Sequence, residues 1–245
     1  MSVLNVANPS WSSEDVEQLA ESAQRFFERE CLPHYERWEK QGSVDRDTWI
    51  KAGKAGLLCA SVPEIYGGAG GTFAHDATIS RAAHLVGVEG FGISLHNAIV
   101  VPYIVAFGSE EQKRDWLPRL ASGDLVGAIA MTEPSGGSDL QAVRTTARRD
   151  GNHYVLNGQK TFITNGQLAN FIIVVAKTDS SLGGKGISLF AVETEGVDGF
   201  KRGRNLDKIG LKANDTSELF FDNVRVPASA LIGPCLLYTS PSPRD

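Results

Sequence analysis

Apolar positions recur with a helical period in the first half of the chain and in short strand-like runs in the second, with the change near residue 125. Ser12-Ser13-Glu14-Asp15 reads as a capping box ahead of Val16, Leu19, Ala20, Ala23 and Phe27, a helix expected to stop at Pro33. Asp45 or Asp47 can cap a second helix through Trp49 and Ala52 to Gly56, whose missing side chain suits a left-handed end. The run Gly67-Gly68-Ala69-Gly70-Gly71 is a loop, since it follows no strand and lacks the spacing of a dinucleotide fingerprint. Two apolar helical runs follow, about Phe73 to Val86 and Phe91 to Phe107. Ser109 with Gln112 then forms another capping box before Trp116, Leu117 and Leu120.

The second half has strand texture. Asp150-Gly151, Asn157-Gly158 and Asn165-Gly166 tolerate the positive φ of tight turns, which predicts three chain reversals. Runs rich in β-formers lie at Val126 to Met131, Val143 to Ala147, Tyr154 to Leu156, Phe171 to Ala176, Ile187 to Val192 and Leu219 to Val226. Their spacing predicts an α+β chain in which an all-helical bundle (1–125) precedes an antiparallel β-sandwich or barrel (126–234). Residues 235–245 have no period and two close prolines, Pro241 and Pro243; they are expected to be a non-native tail.

Composition narrows the function classes. Of 245 residues, 42% are hydrophobic and 22% charged, as in a globular protein with a sizeable core. Lysine plus arginine against acids gives 24 − 29 = −5, and no basic run exceeds a pair, which argues against nucleic acid and anionic membranes. No apolar stretch approaches the ~20 residues of a membrane span. The start Met1-Ser2-Val3-Leu4 has neither signal-peptide nor transit-peptide character, so a cytoplasmic location is expected, or the mitochondrial matrix in a eukaryote. Cys31, Cys59 and Cys235 stand far apart, and His34, His75, His84, His96 and His153 include no i,i+4 pair, so no metal site is expected.

The informative segment is Ala130-Met131-Thr132-Glu133-Pro134-Ser135-Gly136-Gly137-Ser138-Asp139-Leu140-Gln141-Ala142, a strand that runs into a polar glycine-rich loop. Adjacent glycines let a ligand approach backbone N–H groups, and Ser138 adds a hydroxyl, chemistry suited to a pyrophosphate. By itself such a loop is more often only a turn. Glu133 and Asp139 invite a paired-carboxylate reading, but six residues of loop fix no separation between them. Asp139 is better explained as a staple for backbone N–H groups.

This segment resembles the signature of acyl-CoA dehydrogenases, with Thr132, Glu133, Gly137, Ser138 and Asp139 in place. Leu156 to Gly166 is similar to the family's second flavin-contacting strand, and Leu206 to Ala213 with Asp215 to Phe221 resembles the strands that close its middle domain. Gly-Ala-Ile-Ala-Met-Thr and Gly-Ile-Ser-Leu-Phe lean toward the long-chain branch. The resemblance implies an FAD enzyme that carries out α,β-dehydrogenation of an acyl-CoA thioester, with hydride transfer to flavin N5. It implies cofactor contacts from Ile129, Ala130, Met131, Thr132, Gly137, Ser138, Phe162, Ile163 and Thr164. Thr132 and Thr164 would hydrogen-bond the isoalloxazine edge, and Phe162, where many relatives carry tryptophan, would stack on the ring. Ser138 would also touch the substrate. No catalytic base is assigned, because in the family it belongs to a C-terminal four-helix domain that is expected to be missing here. The 245-residue fragment is therefore expected to be inactive. An electron-transfer flavoprotein is the implied acceptor, and a homo-oligomer the implied full-length assembly. The weighed alternatives are a flavin monooxygenase or oxidase on the same scaffold, and a non-catalytic binding protein.

Overall fold

The computed structural model describes residues 11–233, so the expected tail at 235–245 lies outside the described residues. Helix α1 (Glu14–Phe26) runs through a wide π-turn (Phe27–Cys31) into α2 (Leu32–Gln41). Pro33 therefore opens α2 instead of ending α1. The π-turn lies just ahead of the position whose ring and missing N–H an unbroken α-helix tolerates poorly. The arrangement recurs downstream. Helix α5 (Ile93–Leu95) passes through a second π-turn (His96–Val100) into α6 (Val101–Phe107), with Pro102 in its first turn. Ser13 caps α1 without a side-chain bond, and Ser12 Oγ donates instead to Glu17 Oε1 at 3.2 Å, so that expected capping box does not form.

Helices α3 (Arg46–Lys54), α4 (Phe73–Val86) and α7 (Glu110–Ser122) fall where the apolar periods place them. At α7 the capping box forms in full: Gln112 N donates to Ser109 Oγ at 3.2 Å and Ser109 N donates to Gln112 Oε1 at 2.9 Å. Trp38, Trp49, Phe27, Phe91 and Ile79 make the helical core, and the Trp49 and Phe91 rings meet edge to face at 4.8 Å.

The strands are β1 (Gly127–Ala130), β2 (Thr146–Asp150), β3 (His153–Thr164), β4 (Phe171–Lys177), β5 (Ile187–Glu193), β6 (Phe200–Asn205), β7 (Thr216–Pro227) and β8 (Leu231–Ile232). They form one mostly antiparallel sheet in the order β6-β7-β3-β2-β4-β5-β8, with β1 parallel to β4. Strand β4 is apolar from Phe171 to Ala176 because both faces of that run are covered. Phe171, Ile173 and Val175 pack with Trp116, Leu117 and Leu120 of α7, whereas Ile172, Val174 and Ala176 face a second core with Leu156, Phe190 and Phe221. The sheet thus curves around one core and shares another with the helices.

Three strand expectations change. Asn157-Gly158 is no reversal: both lie inside β3, where the pairing with β7 slips between Leu156 and Gly158 as a bulge. Strand β2 starts at Thr146, later than the apolar run suggested. Residues 206–213 form a loop between β6 and β7, with Ile209 fully exposed, and not a strand.

Candidate functional site

Strand β1 delivers Met131 and Thr132 alongside β3, and the two segments are bonded to each other. Thr161 N donates to Thr132 O at 2.9 Å, and Lys160 Nζ donates to Met131 O at 3.1 Å. The same ammonium reaches Glu133 Oε1 at 2.8 Å, with the two side chains 0% and 4% exposed. Glu133 Oε2 accepts from Arg144 N at 2.7 Å, and Oε1 accepts from Thr145 N at 2.9 Å and Thr145 Oγ1 at 2.6 Å. Burial pushes Lys160 down to about 8 against the pull of Glu133. Burial alone would raise Glu133, but Lys160, Thr145 and the Arg144 N–H outweigh it and hold the carboxyl below its ordinary value. The ionised Glu133 closes the loop from 131 to 145. Backbone bonds between Glu133 and Gly136 turn the chain at Pro134-Ser135, and Asp139 Oδ1 accepts from Gln141 N at 3.1 Å as the expected staple.

Next to this junction Phe162 stands out of the sheet. Its neighbours Thr161 and Ile163 are buried, yet Phe162 is 67% exposed and sits at φ +57° in a β-bulge between Lys160 and Ile163. A left-handed backbone under a bulky side chain costs roughly 1–3 kcal/mol, and such strain gathers at functional sites. Thr164, half-buried, pairs with Thr216. Asn165 Nδ2 donates to Gly127 O at 3.1 Å, a further tie between β1 and the end of β3.

The structure thus brings Met131 and Thr132 together with Phe162, Ile163 and Thr164. The side chains of Ala130 and Ile163 belong to the sheet core, so only their backbones can face a ligand. Ile129 and Met131 are half-buried against the core shared with the helices. Gly137 and Ser138 are exposed, beyond the Glu133–Gly136 turn. A Cβ at Gly137 would meet nothing within 4 Å, so no packing of the chain itself requires glycine there. The structure therefore presents an exposed aromatic ring on strained backbone at Phe162 and, past the Glu133–Gly136 turn, an exposed glycine-rich loop at Gly137-Ser138.

Two contributors were invisible to periodicity. The Glu133–Lys160 pair joins residues 27 positions apart, and its only local sign is a lysine in a strand that also carries Phe162. His96, in the second π-turn, is fully buried; its Nδ1 accepts from Gly127 N at 3.1 Å and its Nε2 lies 3.2 Å from Leu120 O. Those partners set the tautomer with the proton on Nε2. Burial lowers His96 to about 4, so the neutral ring links the helical half to the first residue of β1. Among the described residues no cluster of side chains could hold a metal ion, and no helix is long and apolar enough to cross a membrane.

The family model "Acyl-CoA dehydrogenase, N-terminal domain" matches residues 13–124, and "Acyl-CoA dehydrogenase, middle domain" matches residues 128–224; the chain belongs to the acyl-CoA dehydrogenase family. It is 52% identical over 215 residues to the mitochondrial long-chain specific acyl-CoA dehydrogenase of Sus scrofa, covering 87% of this chain and 50% of that protein. The crystal structure of an acyl-CoA dehydrogenase from Geobacillus kaustophilus superposes with a TM-score of 0.90 at 46% identity, over 94% of this chain and 60% of that one. A glutaryl-CoA dehydrogenase from Mycobacterium smegmatis, solved in complex with FADH2, superposes with a TM-score of 0.82 at 36% identity, over 91% of this chain and 56% of that one. The chain thus spans about half the length of the curated relative it matches.

Proposed function

We propose that this chain supplies the flavin-facing half of an FAD-dependent acyl-CoA dehydrogenase that acts on long-chain acyl-CoA thioesters. The observation that carries the reading is the exposed, left-handed Phe162 beside the Thr161–Thr132 backbone bond. Phe162 offers a stacking face. Met131 and Thr132 on one side and Ile163 and Thr164 on the other offer hydrogen-bonding groups to a ring edge. Gly137 and Ser138 offer backbone N–H groups and a hydroxyl to a pyrophosphate or to the CoA chain, and Ser138 is the proposed substrate contact.

FAD, when bound, supplies the acceptor for the hydride that leaves the β carbon of the acyl chain. The residues described here orient that acceptor and the thioester, exclude water, and fix the ring edge where negative charge develops. Glu133 is not a candidate base, since its carboxylate is consumed by Lys160, Arg144 N and Thr145. None of the described residues is assigned as the base. An electron-transfer flavoprotein is the proposed acceptor and a homo-oligomer the proposed assembly. The relatives' mitochondrial names fit a matrix location if the source is eukaryotic.

The test is anaerobic addition of palmitoyl-CoA to the purified full-length protein. Bound flavin that bleaches on addition supports the assignment; a protein that takes up no FAD, or whose flavin ignores every acyl-CoA, contradicts it.

A further inference from the structure

We propose that the buried Glu133–Lys160 pair is a positioning clamp that sets the spacing between the two flavin-facing segments, an inference that rests on the flavin reading above. Lys160 is two residues before Phe162 on β3, and its ammonium holds both Met131 O and Glu133 Oε1. The residue between them, Thr161, holds Thr132 O through its backbone N–H. Three consecutive residues of one segment (131, 132 and 133) are therefore bonded to two consecutive residues of the other (160 and 161).

The far side of the carboxylate is anchored as well. Arg144 N, Thr145 N and Thr145 Oγ1 donate to Glu133, and a Cβ at Gly158 would lie 2.3 Å from Thr145 Oγ1. The loop end at 145, the loop start at 133 and strand β3 thus lock together around one carboxylate. The side chains are 0% and 4% exposed, so water cannot replace a lost partner. The ladder to β7 cannot keep the register alone: β3 is bulged on that side between Lys160 and Ile163, where regular ladder bonds are lost. The clamp sits where the sheet's own pairing fails. Its consequence is placement: the Lys160 ammonium, acting with the Thr161–Thr132 backbone bond, sets how the 131–133 segment lies against the strand that carries Phe162.

The variants are Lys160→Met, which keeps the stem and removes the ammonium, and Glu133→Gln, which keeps the volume and removes the charge. Leu120→Ala, in the core shared by helix and sheet, is the control for stability loss alone. Each is purified, stripped of flavin, melted, and titrated with FAD by fluorescence quenching, and the bound-flavin absorption spectrum is recorded. The clamp predicts an FAD Kd raised by about 10- to 100-fold in K160M, the size of loss found when the partners that orient metal-ligating side chains are removed. It also predicts a shifted flavin band, while L120A, with an equal or larger drop in melting temperature, keeps the wild-type Kd and spectrum. If K160M does not fold, E133Q carries the same comparison. FAD affinity and spectrum unchanged in the variants, or reduced no more than in L120A, overturn the clamp. A wild-type protein that binds no FAD overturns instead the flavin reading on which it rests.

Discussion

The backbone N–H of Thr161 donates to the carbonyl of Thr132 at 2.9 Å, and this bond fastens the two segments that the sequence singles out. One residue further along β3 the bulge turns Phe162 outward on a left-handed backbone. The sheet gives up a regular ladder position there and presents an aromatic ring beside a threonine.

Phe162→Gly separates function from stability. Phe162 is 67% exposed, so little burial is lost. Glycine accepts φ +57° without strain, which offsets its extra freedom in the unfolded chain. Urea unfolding of the flavin-free variant is expected within about 1 kcal/mol of wild type, together with clearly weakened FAD binding. A variant that unfolds far more easily yet binds FAD normally would falsify the reading of Phe162 as a ligand platform.

Two glycines should behave oppositely. Gly158→Ala places a Cβ 2.3 Å from Thr145 Oγ1 and 2.7 Å from Thr145 Cα, so a destabilisation of about 1–3 kcal/mol is expected by thermal melting. Gly137→Ala meets nothing within 4 Å, and its stability should stay within about 0.5 kcal/mol. Its FAD affinity should nevertheless fall, because a methyl would stand where a pyrophosphate must approach.

His96 gives the protein an acid-sensitive joint. Burial depresses its folded pKa to about 4, below the ordinary 6.5. The neutral form is thus favoured by folding. The stability it contributes is fully present above pH 6.5 and is lost as pH falls from there through 4, by about 3 kcal/mol for a shift of this size. His96→Gln cannot titrate. Its melting temperature should be lower than wild type at pH 7.5 and should fall less steeply between pH 6.5 and 4; parallel pH profiles for the two proteins would rule the joint out.

Much of this was legible in the sequence because it is local. Helix α4 occupies Phe73–Val86, as its apolar period indicates, and the Ser109–Gln112 box starts α7. What failed depends on partners far along the chain or on irregular backbone. Pro33 reads as a stop because a π-turn leaves no mark on hydrophobic spacing. Asn157-Gly158 has turn chemistry, but here that freedom serves a bulge against β7. Strand β6, with the sequence Phe-Lys-Arg-Gly-Arg-Asn, is polar because it lies at the end of the sheet with β7 as its one neighbour. The loop at 206–213 looked strand-like by resemblance alone. At the proposed site, the motif singled out Thr132 and Phe162, and the structure bonds Thr132 O to the N–H of Thr161, the residue before Phe162. The Glu133–Lys160 pair and the His96–Gly127 bond were not legible, since each is a meeting of residues separated in sequence by 27 and 31 positions.

The most direct test of the account is a crystal structure of the protein with FAD. It should place the isoalloxazine on the face of Phe162, with its edge within about 3 Å of polar atoms of Thr132 and Thr164, and the pyrophosphate beside Gly137 and Ser138. An isoalloxazine bound elsewhere, with Phe162 facing solvent and no ligand between the Thr132 and Thr164 segments, would contradict it.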